Sequence, residues 1–217
     1  RRELARRDHS ESMIGSSNAL RAVQDAVRRV AVTNSNVLLV GESGTGKELF
    51  ARTIHKWGPK QNESFVAVNC AVRPNEMLEA QIFGARAGAV PGVHDEITGS
   101  FRTAGTGTVY LDEVSQLPLS AQDKLLRAIE YEEFTPLGAT KPLKMTARII
   151  AATTRDLSVE VAEGRFQEDL FYRLDGMKIR IPPLRERLDD IPELVEFFIA
   201  KHGRAMGPVS YTHLRAH

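Results

Sequence analysis

Short apolar runs alternate along the chain with longer segments whose apolar residues recur every three or four positions. The strand-like runs fall at residues 36–40, 65–69, 108–112, 148–152 and 177–181, and helical periodicity falls at 18–32, 47–57, 75–83, 120–130 and 159–173. Brief strands separated by single helices argue for an α/β fold, a parallel sheet covered by helices on both faces. Pro182 and Pro183 end the last run, because proline cannot donate to a strand ladder. Beyond them, residues 189–202 set Ile191, Leu194, Val195, Phe198 and Ile199 on one side of an amphipathic helix, the opening of a smaller helical unit.

The first strand breaks into Gly41, Glu42, Ser43, Gly44, Thr45, Gly46, Lys47 and Glu48. Glycines at these places let the backbone turn with positive φ and aim successive N–H groups inward, while the next helix offers its N-terminus and a lysine. That arrangement suits the triphosphate of a nucleotide. Glu48 departs from the general pattern, standing where a hydroxyl would touch Mg²⁺. A second apolar strand ends in the paired carboxylates Asp112 and Glu113. Ligands of open α/β sheets gather at the carboxyl ends of strands, so Asp112 is expected to hold Mg²⁺, directly or through water, and Glu113 to face the water that attacks the γ-phosphate. Taken separately, two ordinary buried strands and a solvated acidic turn would give the same runs.

The bulk composition adds boundaries. The chain has 217 residues, and 29 Lys+Arg against 28 Asp+Glu leave a net charge of +1, so no broad basic face for DNA is implied. A single cysteine, Cys70, cannot form an internal disulfide, and neither a signal peptide nor a long apolar span is present, which points to the cytoplasm and away from a membrane. Residues 1–12 open without an initiating methionine and read as the remnant of a linker helix. Residues 13–188 form the expected nucleotide-binding domain and 189–208 the start of a truncated helical lid. The final stretch, 209–217, resembles translated read-through of a sequencing-library adapter; its His213 and His217 lack the glutamate of a zinc-binding helix, so no metal site is expected there.

The motifs from Ile14 and Gly15 to about residue 200 resemble the central AAA+ ATPase domain of bacterial enhancer-binding proteins, the activators of sigma-54 RNA polymerase. The resemblance is carried by Gly41 to Glu48, Val68-Asn69-Cys70, Ile82-Phe83-Gly84, Gly107 to Glu113, Lys124 to Arg127, Arg148 to Thr153 and Pro182 to Arg187. It implies an AAA+ P-loop NTPase with a five-stranded parallel sheet, ATP and Mg²⁺ as cofactors, and a homo-oligomeric hexameric ring. It also implies sigma-54 RNA polymerase as partner, with DNA reached only through a C-terminal domain outside these residues. Residue by residue, Lys47 would take the phosphates, Asp112 the magnesium, Glu113 the attacking water, and Ile14 and Gly15 would join the nucleotide site. Thr153 would lie on the sensor strand. Asn69 would be a switch whose amide holds the Glu113 carboxylate until the γ-phosphate arrives, although alone it reads as a strand-end cap. Arg173 would reach into the neighbouring subunit's site, although alone it reads as a solvated helix residue.

Four positions depart from the family pattern. The sigma-contacting loop usually reads GAFTGA, yet Gly88, Ala89, Val90, Pro91, Gly92 and Val93 occupy it here. Losing an aromatic anchor commonly costs about 2 kcal/mol or more, so sigma-54 engagement is expected to weaken about tenfold or worse. Gln167 stands at a usual arginine, which implies slow hydrolysis; Thr154 replaces an asparagine, and Pro136 an arginine. Two other readings stay open: a degenerate member that binds ATP to assemble and regulates by protein contact alone, and an unrelated AAA+ unfoldase or helicase.

Overall fold

The computed structural model describes residues 13–71 and 74–202. The expected linker helix at 1–12, residues 203–208 of the lid and the tail at 209–217 lie outside them. In chain order the strands are β1 (Val37–Val40), β2 (Phe65–Asn69), β3 (Thr108–Asp112), β4 (Glu133–Phe134), β5 (Leu143–Lys144), β6 (Arg148–Thr153) and β7 (Lys178–Arg180). The helices are α1 (Asn18–Ala31), α2 (Lys47–Lys56), α3 (Asn75–Phe83), α4 (Ser100–Ala104), α5 (Leu119–Tyr131), α6 (Leu157–Ala162), α7 (Glu168–Leu174) and α8 (Ile191–His202).

Five strands form one parallel sheet in the order β2-β3-β6-β1-β7, as the alternating pattern implied. Its strands are apolar almost throughout because both faces are covered, and successive residues supply opposite cores. Leu38, Val109, Leu111, Ile149 and Ala151 meet Leu78 and Ile82 of α3, Phe101 of α4, Leu125 of α5 and Leu170 of α7. Leu39, Tyr110, Ile150 and Ala152 point the other way, onto Leu20, Val23 and Val27 of α1 and Phe50 and Ile54 of α2. Each fully buried leucine or isoleucine in these layers contributes about 1.5–3 kcal/mol.

Local chemistry sets the ends of α1. Ser17 caps its first turn by accepting from Leu20 N–H, and the buried Arg148 guanidinium donates to the carbonyls of Val30, Ala31 and Ser35 at the other end. The single helix expected at 159–173 is two helices, because Gly164 adopts φ +70° and turns the chain between α6 and α7. Two features had no sequence signal: the short α4, and the two-residue strands β4 and β5, which pair antiparallel. The helix expected to open a lid is α8, whose Val195 and Phe198 are exposed.

Candidate nucleotide site

The register of the sheet brings four strand ends to one edge. Val40 lies beside Thr153, and Asn69 beside Asp112, so the turns after β1, β2, β3 and β6 open on the same side. Gly41 leaves β1 with its N–H donating to Thr153 C=O at 3.2 Å. A Cβ on Gly41 would lie 2.9 Å from Thr45 Oγ1 and 3.0 Å from Ile181 C=O, so only glycine fits. Gly44 and Gly46 hold φ of +79° and +91°, where a Cβ would meet little but the backbone itself would resist. The loop therefore curls back over the start of α2.

Lys47 is only 7% exposed, and its ammonium donates to Gly41 C=O at 3.0 Å and Glu42 C=O at 3.3 Å. It also stands 3.5 Å from Glu113 Oε1, joining the loop to the acidic strand end. Buried cations are stable only when paired in this way. Glu48 turns outward to Arg52, with contacts of 3.0 and 2.7 Å one helical turn on, and leaves the cradle. Thr45 Oγ1 donates to Glu42 C=O, and Glu42 itself accepts two bonds from Arg185, which hold its carboxyl below the usual range. Ser43 is an exposed loop position.

Asp112 Oδ1 accepts from Tyr110 O–H at 2.9 Å, and burial followed by the Asp112 charge pushes the phenol pKa well up. Glu113 adopts φ +54°, a left-handed conformation rare outside glycine that costs about 1–2 kcal/mol. This turn directs its carboxylate back across the strand ends. Its Oε2 accepts from Thr154 N–H at 3.1 Å and Thr154 O–H at 2.8 Å, leaving Oε1 toward Lys47. The expected Asn69 contact with Glu113 is absent: Asn69 Oδ1 accepts from Ala71 N–H at 2.8 Å, because a strand-end amide closes its own turn more readily than it crosses to a neighbour. The Thr153 hydroxyl is likewise engaged locally, with Arg155 N–H and C=O. Cys70 is buried and its thiol is pushed up to about 12 by burial and then by Asp112 and Glu113, so it is no nucleophile.

The remaining expected residues belong to other segments of the chain. Ile14 and Gly15 lead into α1, and Gly15 has φ +133°. Arg173 is exposed and pairs with Glu130 of α5 at 2.8 Å. Gln167 donates from its side chain to Asp123, and Arg165, the nearest cation in sequence, is held by Glu160 and Glu163. In the loop at 88–93, Val90 is buried against Ala80 and Ala85 instead of standing at an exposed tip, because N–H groups of Gly88, Ala89 and Val93 fold the loop onto itself. Pro91 and Gly92 are exposed there. A cleft of about 800 Å³ beside α5, lined by Lys124, Arg127 and Phe134, includes none of the phosphate-loop residues.

The donor set suits a nucleotide with its metal. Two left-handed glycines free backbone N–H groups to face an anion, and a buried ammonium already sits among acceptors that phosphate oxygens would replace. No group of three or more metal-ligating side chains exists among the described residues. Sequence reasoning missed Arg185 and Asp190, whose partners at Glu42 and Ser17 are more than 140 residues away.

The profile of the Sigma-54 interaction domain family matches residues 13–180. The Nif-specific regulatory protein of Azotobacter vinelandii is 47% identical over 214 residues, 98% of this chain and 41% of that protein. The DNA-binding transcriptional regulator NtrC of Azospirillum brasilense is 45% identical over 192 residues, 88% of this chain and 40% of that one. The crystal structure of NtrX from Brucella abortus in complex with ATP superposes with a TM-score of 0.80 at 39% identity, covering 88% of this chain and 43% of that chain. The chain thus spans about two fifths of the length of these two curated relatives.

Proposed function

From the premise that this chain belongs to the Sigma-54 interaction domain family, we propose that it binds ATP with Mg²⁺ and hydrolyses it as the motor segment of a cytoplasmic sigma-54-interacting transcriptional regulator. The observation that carries this reading is the triad formed by Lys47, Glu113 and Thr154 across three strand ends, directly over the glycine cradle. Lys47 exchanges its two loop carbonyls for phosphate oxygens. Asp112 would hold the metal through its carboxylate, and the cation would supply charge neutralisation on the phosphates. Glu113 accepts the proton of the attacking water through Oε1, while Thr154 fixes Oε2.

The reading includes a homo-oligomeric, hexameric ring in which Arg173 leaves Glu130 to reach the neighbour's nucleotide. An exposed ion pair is worth about 0–1 kcal/mol, so its rupture is inexpensive. Turnover is slow, because Gln167 is tied to Asp123 and Arg165 is fully engaged by carboxylates. Sigma-54 engagement is weak while Val90 remains buried, and DNA is reached through segments beyond this chain.

Steady-state ATP turnover against protein concentration tests the proposal. A steep rise with concentration, abolished by Lys47→Ala, is expected if sites are shared between subunits. Gln167→Arg should raise turnover at least about tenfold, given that arginines acting across subunits reach about 10³–10⁵ in related chemistry. Turnover that neither depends on Lys47 nor grows with concentration would defeat the reading.

A further inference from the structure

The phosphate loop carries a carboxylate on either side of its last two glycines, Glu42 and Glu48, and a carboxylate beside a bound polyanion repels it. Each is met by an arginine. Glu48 pairs with Arg52 of its own helix, whereas Glu42 is reached from 143 residues away by Arg185. Arg185 Nη1 donates to Glu42 Oε2 at 2.7 Å and its Nη2 donates to Oε1, a side-on pair that takes both carboxylate oxygens. Arg180 of β7 is occupied by Glu186 instead, through two bonds of 2.7 Å. The Glu42 carbonyl lies 3.3 Å from the Lys47 ammonium, and covalent geometry keeps the carboxylate of the same residue within about 7 Å of that oxygen. That is inside the screening length of about 8 Å at physiological salt, so phosphate oxygens taken up by Lys47 would feel its charge.

Arg185 is presented by a segment anchored outside the loop. Pro182 and Pro183 lead into a 3-10 turn at Leu184–Glu186, in which Glu186 N–H donates to Pro183 C=O at 2.9 Å. Before the turn, Ile181 N–H donates to Val40 C=O at the end of β1, at 2.8 Å. After it, Asp190 accepts from the N–H groups of Ser16 and Ser17 ahead of α1, at 2.8 and 2.7 Å. The guanidinium therefore reaches Glu42 from a support fixed at both ends. We propose that Arg185 is a positioning residue, which holds the Glu42 carboxylate against the 184–186 turn and cancels its charge, so that an incoming polyphosphate meets the backbone N–H groups and Lys47 unopposed. This rests on the nucleotide reading above. A contact that merely held the loop in shape would be lost equally whichever partner was removed, whereas a charge effect changes sign with the partner.

Calorimetry on the full chain with Mg–ATP separates these roles, because Arg185→Gln and Glu42→Gln break the same contact and leave opposite charges behind. Arg185→Gln leaves the carboxylate uncompensated and should lower affinity about fivefold at low salt. That loss should shrink to about twofold or less near 1 M salt, where the screening length falls to about 3 Å. Glu42→Gln leaves the guanidinium free and should raise affinity about twofold. The double variant should return to within about twofold of wild type, since the two charges are removed together. The pair is exposed and contributes little to folding, and if Arg185→Gln nonetheless fails to fold, the sign of the Glu42→Gln effect decides alone. A loss of affinity in Glu42→Gln, or none in Arg185→Gln, would overturn the proposal while leaving the nucleotide reading intact. A wild-type protein without affinity for Mg–ATP would remove that reading, and this proposal with it.

Discussion

Thr154 occupies the position where the family pattern has asparagine, and it carries the contact expected of Asn69. Its amide and hydroxyl both donate to Glu113 Oε2, so only Oε1 is left to face the nucleotide. Removing the hydroxyl in Thr154→Val keeps the shape and the backbone donor. Turnover should fall about fivefold, the equivalent of one hydrogen bond of about 1 kcal/mol, with the KM for ATP little changed and Thr154→Ser close to wild type. Steady-state kinetics of the three proteins check this, and an unchanged kcat for Thr154→Val would show that Glu113 needs no such support. The placement of Lys47, Asp112 and Glu113 at neighbouring strand ends was legible in the sequence because local spacing sets it. Asn69 and Thr154 were not, because which of two neighbouring polar residues reaches Glu113 depends on the left-handed turn at Glu113 and on the register of β3 against β6.

The segment from Gly84 to Gly99 behaves as an element without regular structure. Ala85 bridges Ile97 on one side and Leu137 of the β4–β5 loop on the other, and Gly138 lies so close that a Cβ there would sit 2.8 Å from Ala89. Val90 closes this assembly by filling the space left by two alanines of α3 and its C-terminal turn. A phenylalanine has too much volume for that space, and overpacking of this kind costs about 1–3 kcal/mol. Val90→Phe should therefore release the loop, and trypsin cleavage after the exposed Arg86 should accelerate severalfold relative to wild type. An unaltered cleavage rate would mean that the small core accepts the ring. The sequence identified this loop by its glycines and spacing, yet its inward fold escaped notice, because Val90 reads as a surface substitution until the neighbouring alanines are known. A similar reason hid the break between α6 and α7: apolar periodicity continues through Gly164, and only its positive φ separates the helices.

Across the whole molecule, the end of the sheet opposite the nucleotide site is held by polar contacts between layers. Arg148 of β6 caps α1, and His55 of α2 shares a 2.9 Å hydrogen bond with Thr108 at the start of β3 while its ring meets Phe65 of β2 edge-on at 5.4 Å. Burial, and then the charges of Arg148 and Arg52, hold the His55 pKa below its ordinary 6.5, against a hydrogen bond with the Glu63 backbone. The unfolded chain consequently binds a proton at this residue more readily than the folded one. Stability from neutral His55 is complete above pH 6.5 and is lost as pH falls from 6.5 toward the lowered folded value, at no more than about 1.4 kcal/mol per pH unit for one proton. Urea unfolding at pH 7.5 and pH 5.5 should show a lower midpoint at the acidic value, and His55→Gln should lose part of that difference because its amide takes up no proton. Equal pH dependence in the two proteins would mean that His55 accepts its proton without disturbing the contact between α2 and the sheet, and the acid sensitivity would then belong to carboxylates elsewhere.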